Sequence, residues 1–181
     1  ALPARAAICD RLEALWNYSR RSAPSRHGKY FVWSQNDGLQ NQSVLYRATA
    51  PDQPGAILLD PNQLSSDGTV ALGGLEFSRD GSLLAYSISR SGSDWREWRV
   101  RDVATGVDRD DVLLWSKFSG AAWTPDNQGF FYTRYPAPEE GKKFEAINRN
   151  PQLCYHRLGK AQSEDEVIYE RPDQPNWGFN A

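Results

Sequence analysis

A repeated pattern of residue types occurs twice in this sequence at a fixed spacing, and this repeat restricts the possible folds more than any other feature. Equivalent positions lie 46 residues apart throughout (123 − 77 and 132 − 86). The first copy is Phe77-Ser78-Arg79-Asp80-Gly81 followed by Leu84-Ala85-Tyr86, and the second is Trp123-Thr124-Pro125-Asp126-Asn127 followed by Phe130-Phe131-Tyr132. A weaker copy lies upstream, where Arg26-His27-Gly28-Lys29 precedes Tyr30-Phe31-Val32-Trp33. The chain is therefore expected to consist largely of repeated structural units.

Each repeat is predicted to contain four short antiparallel strands. A tight Asp/Gly turn leads into an apolar strand, and a more amphipathic strand follows, at Trp95–Val103 in one copy and Leu153–Leu158 in the next. A further short strand comes after it, at Val112–Trp115 and at Val167–Glu170. Four short antiparallel strands in a repeat of ~40–50 residues are typical of β-propeller blades.

We therefore predict an all-β fold, a partial β-propeller of about three four-stranded antiparallel blades over residues 21–181. A fourth blade is expected to begin near Trp177, in Trp177-Gly178-Phe179. Propellers close with typically ~4–8 blades, so an open arc of three blades needs either more chain or a partner to cover its edges. The sequence also lacks methionine, even at position 1, and we expect it to be a fragment of a longer protein.

Helical periodicity is confined to residues 1–20. The segment Ala4–Tyr18 is predicted to form a helix with one apolar face, made of Ile8, Leu12, Leu15 and Trp16. After Pro24 the period changes to two, and three short strands are predicted at Lys29–Ser34, Ser43–Ala48 and Ala56–Leu59.

Charge and hydropathy indicate which partners the chain is not built for. The formal net charge is −2, and the basic excess of residues 1–34 is interpreted as a solvated face. No run approaches the ~18 apolar residues of a membrane span, so neither nucleic acid nor a membrane is an expected partner. Cys9 and Cys154 match no metal or disulfide spacing, which predicts two buried free thiols. A cytoplasmic location is compatible with this, while a periplasmic one stays open.

The residues predict no complete active site, no metal site and no cofactor. Of the two histidines, His27 falls in a predicted turn and His156 in a strand, and no Gly-x-Ser-x-Gly sequence provides a nucleophile. Asp80-Gly81 is interpreted as a hairpin turn, because a calcium loop needs several oxygen ligands at alternate positions. The link Ser91-Gly92-Ser93-Asp94 is likewise interpreted as a turn between two strands.

Aromatic residues are expected mostly in the core. Trp33, Trp98 and Trp123 fall at inward strand positions, whereas Trp95 follows a Gly-Ser-Asp link and is expected at a blade end. The step Lys117-Phe118-Ser119 places an aromatic where one blade passes into the next. The segment Tyr135–Asn150 is long for a hairpin, and its charged residues are interpreted as solvated: Glu139, Glu140, Lys142, Lys143 and Glu145.

Several strings of residues resemble the N-terminal propeller of the prolyl oligopeptidase family. They follow one another in the same order from about Leu12 to the end of the chain: Gly38–Tyr46, Leu59–Leu72, Phe77–Tyr86, Ser91–Trp95, Lys117–Asp126 and Gln162-Ser163-Glu164-Asp165. The resemblance implies a serine peptidase that cleaves short peptides after proline. It also implies a seven-bladed propeller that covers an α/β-hydrolase domain and restricts entry to oligopeptides.

In that family the Ser-Asp-His triad belongs to the hydrolase domain, and none of the three residues maps onto this sequence. The helix Ala4–Tyr18 resembles the tail of the extension that joins the hydrolase fold, so residues 1–20 are expected to form a helical linker. Short proline-containing peptides and the hydrolase domain of the same protein are the implied partners.

The resemblance also implies roles for three residues. Phe118 matches a propeller aromatic that lines the substrate cavity, and Asp94 matches an acid that pairs across the domain boundary with a substrate-binding arginine. We place Trp95 with Asp94 at this domain interface. The segment Tyr135–Asn150 resembles a mobile loop near that interface, but its sequence departs strongly from the family pattern.

Two other functions stay open at the level of sequence. One is a stand-alone propeller that acts as a protein-interaction scaffold. The other is a related propeller peptidase of the acylaminoacyl or dipeptidyl type, against which the strings Gly38–Tyr46 and Leu59–Leu72 argue.

Overall fold

A computed structural model describes residues 2–142 and 147–181 and shows one α-helix, two short 3-10 helices (Pro61–Gln63 and Gln162–Glu164) and twelve strands in this part of the chain. The α-helix is α1 (Arg5–Trp16), and the first five strands are β1 (Arg20–Arg21), β2 (Ser25–His27), β3 (Tyr30–Asn36), β4 (Val44–Ala48) and β5 (Ala56–Leu59). The other seven are β6 (Val70–Phe77), β7 (Leu83–Arg90), β8 (Arg96–Asp102), β9 (Asp108–Trp123), β10 (Gly129–Arg134), β11 (Gln152–Arg157) and β12 (Glu166–Glu170). The chain divides into two compact units, residues 1–26 with 30–68, and residues 27–29 with 69–181.

The first unit contains a small antiparallel sheet in the order β1-β3-β4-β5, with β2 also paired to β3. Its buried side chains include Val32, Trp33, Leu45, Leu58 and Leu59. The Trp33 ring stacks on Tyr46 at 5.9 Å, and the Arg21 guanidinium lies 4.1 Å from the Trp33 ring centroid. Val32 and Trp33 are consecutive in β3, as are Leu58 and Leu59 in β5, so both faces of this sheet carry buried side chains.

The helix α1 lies where the periodicity predicts it, but its apolar face is not buried. All four residues of that face are about half exposed or more: Ile8 (54%), Leu12 (50%), Leu15 (50%) and Trp16 (57%). Cys9 on the same helix is only partly buried, whereas Cys154 is fully buried, and both thiols are free. In the described part of the chain, no helix has the length and apolar character needed to cross a bilayer.

The second unit contains two four-stranded blades that share one continuous strand. Its strand order is β12-β11-β10-β9-β8-β7-β6. The first half of β9 pairs with β8, as in Arg99 opposite Val112, and the second half pairs with β10, as in Phe130 opposite Trp123. The predicted short strand Val112–Trp115 is therefore part of a longer one. Left-handed backbone angles at Trp115 (φ 63°) and Phe118 (φ 52°) mark where β9 leaves one blade and enters the next.

The core of the second unit is formed by both blades together. Its buried cluster consists of Leu83, Ala85, Trp98, Val100, Leu113, Ala121, Phe130, Tyr132 and Cys154. Trp98 is fully buried as predicted, and its indole N–H donates to the Ser116 hydroxyl at 3.2 Å. Trp123 is only partly buried against this cluster, and its indole N–H donates to the Glu76 carbonyl at 2.9 Å.

The Asp/Gly turns of the repeat are built alike in both blades. The Ser78 hydroxyl donates to the Asp80 carboxylate at 2.7 Å, and the Thr124 hydroxyl donates to the Asp126 carboxylate at 2.6 Å. Each carboxylate also accepts a backbone N–H two residues later, at 3.0 Å and 3.1 Å. An aspartate side chain that accepts hydrogen bonds from its own turn stabilises such a tight reversal. The predicted hairpin turn therefore accounts for both copies of the sequence pattern.

Successive turns also contact each other. The Arg79 N–H of one turn donates to the Asn127 side chain of the next at 3.0 Å. On the other side, Gly81 (φ 72°) lies so close to the His27 backbone that a Cβ at Gly81 would overlap it. Glycine is needed there both for its backbone angle and for this close approach.

A pair of glycine substitutions separates these two requirements. Gly81→Ala and Gly92→Ala both place a side chain at a left-handed position, but nothing lies within 4 Å of a Cβ at Gly92. We expect Gly92→Ala to cost ~1–2 kcal/mol from backbone strain and Gly81→Ala about 1–3 kcal/mol more from overlap. Native-state hydrogen exchange of β7 measures both losses, and equal losses would contradict the packed-turn interpretation.

The predicted all-β partial propeller with an N-terminal helix is confirmed. No strand follows β12 among the described residues, and the Trp177 side chain is 50% exposed. The fourth blade beginning near Trp177, and the division of the chain at residue 20, stay predictions.

Candidate functional site

The sheet topology brings the three predicted site residues to one end of the blades. A continuous row of paired residues runs across the second unit near this end: Ser89, Arg96, Ser116, Arg134 and Gln152. Just beyond that row lie the link 91–95, the bend 117–119 within β9 and the described residues of the connection 135–151. We refer to this row and its connections as the linker end of the blades. Asp94, Trp95 and Phe118 all belong to it.

An aromatic cluster fills the linker end. The Trp95 ring meets Trp115 edge to face at 5.5 Å and Tyr135 at 6.4 Å. The Lys117 ammonium lies 3.9 Å from the centroid of the Trp95 ring. Trp95 is 6% exposed, so within this chain it packs the blade end as the sequence predicts. Its role at a domain interface stays a prediction.

Phe118 presents an aromatic side chain at the linker end. It is 57% exposed although both neighbours along the chain are buried or half-buried. A left-handed φ is uncommon for a bulky residue and occurs often at functional sites. The next residue is fixed, because the Ser119 hydroxyl accepts the Thr133 N–H at 3.0 Å. An exposed ring on a well-anchored strand is suited to cover an apolar side chain of a ligand.

Asp94 is exposed at the tip of the link 91–95. Burial lowers the pKa of the nearby Lys117 ammonium, and the negative charge of Asp94 acts against this effect. The link itself is held by the Ser93 hydroxyl, which accepts the Trp95 N–H at 3.1 Å. An exposed carboxylate on a short, bonded link can orient a guanidinium group that approaches from outside.

The last residues of the 135–151 connection are bound to the rest of the unit. The Asn148 side chain accepts from the Lys117 ammonium at 2.8 Å, and the Asn150 N–H donates to the Pro175 carbonyl at 2.8 Å. Between them, the Arg149 guanidinium donates to Asn176 at 3.2 Å.

The charged residues that open this connection fit their predicted solvation where the structure describes them. Glu139, Glu140 and Lys142 are exposed, and Lys142 forms an ion pair with Glu139. Lys143 and Glu145 lie outside the described residues.

Sequence analysis missed a polar network that recurs in both blades. In one blade the Tyr86 hydroxyl donates to Asp108 at 2.8 Å, and Arg101 donates to the same carboxylate at 2.6 Å. In the next blade the Tyr132 hydroxyl donates to Asp165 at 2.6 Å, and His156 contacts the same carboxylate at 2.7 Å. Arg101 pairs with Leu84 and His156 pairs with Phe130, so the two cations occupy equivalent sites. The two tyrosines are equivalent in the 46-residue repeat, and this equivalence was the sequence signal that could have revealed the network.

His156 also joins the two blades. Its second ring nitrogen lies 3.1 Å from the carboxylate of Asp111, which belongs to the preceding blade. Burial alone would lower the pKa of His156, but the hydrogen bonds to Asp111 and Asp165 outweigh it and raise that pKa to about 9. The imidazole is therefore a buried cation between two carboxylates, with a 0% exposed side chain. It has no access to a ligand and serves packing.

Known proteins resemble this chain over nearly all of its length. The prolyl endopeptidase of Elizabethkingia meningoseptica is 43% identical over 167 residues, which are 92% of this chain and 23% of that protein. The dual function macrocyclase-peptidase POPB of Galerina marginata is 37% identical over 197 residues, which are 96% of this chain and 27% of that protein.

A solved structure leads to the same family. Prolyl oligopeptidase B from Galerina marginata, bound to a 35mer hydrolysis and macrocyclization substrate, superposes with a TM-score of 0.86 at 33% identity, over 97% of this chain and 27% of that one. The chain thus spans about a quarter of the length of the relatives it matches. The family model of the prolyl oligopeptidase N-terminal β-propeller domain matches residues 1–181. This chain belongs to the prolyl oligopeptidase family, as part of its N-terminal β-propeller domain.

Proposed function

We propose that this chain is the non-catalytic propeller segment of a serine oligopeptidase that cleaves short peptides after proline. In this proposal the α/β-hydrolase domain with the catalytic triad comes from the rest of a longer polypeptide. The propeller restricts access to peptides, and its linker end forms part of the wall against which they bind. The observation that carries the proposal is the family match over residues 1–181.

The geometry of the linker end supports a binding role. Phe118 offers an exposed aromatic face, and Asp94 offers an exposed carboxylate at the same end of the blades. In the proposed enzyme, Phe118 covers an apolar side chain upstream of the proline. Asp94 holds a substrate-binding arginine of the hydrolase domain in a bidentate ion pair.

The first test is cleavage of a short Gly-Pro reporter by the full-length product of the gene that encodes this chain. We expect turnover that a serine-directed covalent inhibitor abolishes, and none from residues 1–181 alone. A full-length product that leaves the reporter intact and instead captures one protein partner would favour the scaffold alternative. A reporter panel with free and blocked N-termini separates the other propeller peptidases.

Phe118→Ala is expected to weaken binding of longer peptides. KM for a peptide with several residues upstream of proline should rise about five- to tenfold, because an aromatic contact is lost, while kcat stays unchanged. Val107→Ala is the control, since Val107 is 63% exposed and lies outside the linker end. An unchanged KM for the longer peptide would remove Phe118 from the binding wall.

We also propose a cytoplasmic location, which the two free thiols support. Free cysteines persist in reducing compartments, whereas oxidising ones favour disulfides. Cell fractionation with an antibody against the protein tests this, and a periplasmic signal would contradict it.

A further inference from the structure

Lys117 is a buried cation whose direct partners are uncharged. The residue is 7% exposed, and an ammonium taken out of water must find compensating contacts. Its contacts are the face of the Trp95 ring at 3.9 Å and the Asn148 amide oxygen at 2.8 Å. By contrast, Lys142 and Lys160 lie at the surface beside glutamates. The environment of Lys117 is thus built for one side-chain position.

This one ammonium connects the three segments of the linker end. Trp95 closes the link 91–95, Lys117 precedes Phe118 in β9, and Asn148 belongs to the returning part of the 135–151 connection. A cation over an aromatic face is fixed in distance, and a charge-assisted hydrogen bond is fixed in direction. Together these contacts set where the Asn148 side chain lies relative to Phe118.

We infer that Lys117 is a positioning and specificity-determining residue, which holds Phe118 and the segment 148–150 together as one wall for the upstream part of a peptide substrate. The inference rests on the proposed function and goes beyond it, because Lys117 acts through its neighbours rather than on the substrate. Short reporters that end close to the proline do not reach this wall. Longer peptides do, and their binding therefore depends on Lys117.

The test compares two substrates and five variants of the full-length protein. The substrates are the Gly-Pro reporter and a fluorogenic octapeptide with proline near its centre. The variants are Lys117→Met, Lys117→Arg, Asn148→Ala, the double variant of Lys117→Met with Asn148→Ala, and Lys160→Met as the surface control, because Lys160 is exposed and lies outside the linker end. We expect Lys117→Met to raise KM for the octapeptide about fivefold with kcat unchanged, and to leave both constants for the reporter within twofold.

The double variant tests whether the two residues act as one unit. Asn148→Ala should raise KM for the octapeptide about as much as Lys117→Met, and the double variant should add little further. Additive effects, equal effects on both substrates, or an equal effect of Lys160→Met would each overturn the inference. Lys117→Arg, which keeps the charge, should recover part of the octapeptide KM.

A second readout does not depend on activity. The Asn150 N–H is bonded to the Pro175 carbonyl, and its hydrogen exchange reports whether the returning segment is held. Lys117→Met should accelerate this exchange at least tenfold, and Lys160→Met should not. If the wild-type protein does not cleave the reporter, the proposed function fails, while this exchange measurement still tests the positioning; an unchanged exchange rate overturns it.

Discussion

Replacing His156 by leucine is expected to lower the free energy of unfolding of the two blades by about 3–5 kcal/mol at neutral pH. The substitution removes the cation but leaves two enclosed carboxylates. The side chains of Asp111 and Asp165 are 2% and 0% exposed, so water cannot replace the lost partner. Because Asp111 lies in one blade and Asp165 in the next, the substitution weakens the contact between the two blades as well as the second blade itself.

The same site gives a pH dependence with a definite sign. The folded-state pKa of His156 is about 9, above its ordinary value of 6.5. Its contribution to stability is therefore fully present below pH 6.5 and is lost as the pH rises through about 9. Burial lowers the pKa of His27, the other histidine, so its titration falls below this window. The wild-type protein should lose stability between these two pH values, and His156→Leu should not show this decrease.

Native-state hydrogen exchange of β10 and β11, followed from pH 6 to pH 9, measures both effects. Arg157→Gln removes a cation from the exposed side of the same strand and is the matched control, with an expected change within ~0.5 kcal/mol. If His156→Leu and Arg157→Gln behaved alike, the histidine would not be the buried ion that its contacts indicate.

Trp98→Ala is the second large expected effect. Trp98 is the largest fully buried side chain, and its ring packs on Phe130 of the neighbouring blade at 6.5 Å. Truncation leaves a cavity and removes the hydrogen bond to Ser116. Large-to-small changes of this kind cost ~3–5 kcal/mol. Both blades should lose protection, because the cluster includes residues from each.

Trp177→Ala is the control for this substitution. Trp177 is 50% exposed and lies near the Arg171 guanidinium, 4.8 Å from its ring centroid. We expect less than ~1 kcal/mol from its loss. Loss of protection confined to β8 after Trp98→Ala would contradict the shared core and indicate two independent blades.

The blade repeat could be predicted from the sequence because local chemistry determines it. The Asp80 and Asp126 turns make their own hydrogen bonds, and short, mainly apolar runs mark the largely buried strands β7 and β10, so a short window of residues is sufficient. For the same reason, apart from β9, the predicted ends of the strands lie within a few residues of those in the structure. The continuity of β9 could not be predicted. Residues 115–119 contain neither proline nor glycine, so the sequence does not show whether the strand bends there or ends.

The polar network was missed because its members are far apart and differ in type. The tyrosines keep the 46-residue offset, but the longer 135–151 connection shifts His156 out of step with Arg101. A search at fixed spacing therefore aligns the tyrosines and loses the cations. For the helix α1, the apolar face was identified correctly from its periodicity. Periodicity does not show whether another element packs on that face, and in the described chain the face is exposed.

The two ends of the blades differ in how freely they can change length. At one end, the turns around Asp80 and Asp126 are equal in length and touch each other, so an inserted residue would disturb the neighbouring turn. At the linker end, the short link 91–95 of the first blade and the much longer connection 135–151 of the second occupy equivalent places, and both blades still have four strands. New segments can therefore be grafted at the linker end without redesigning the sheet. This asymmetry makes the blades a fixed frame on which the loops of one end can be exchanged.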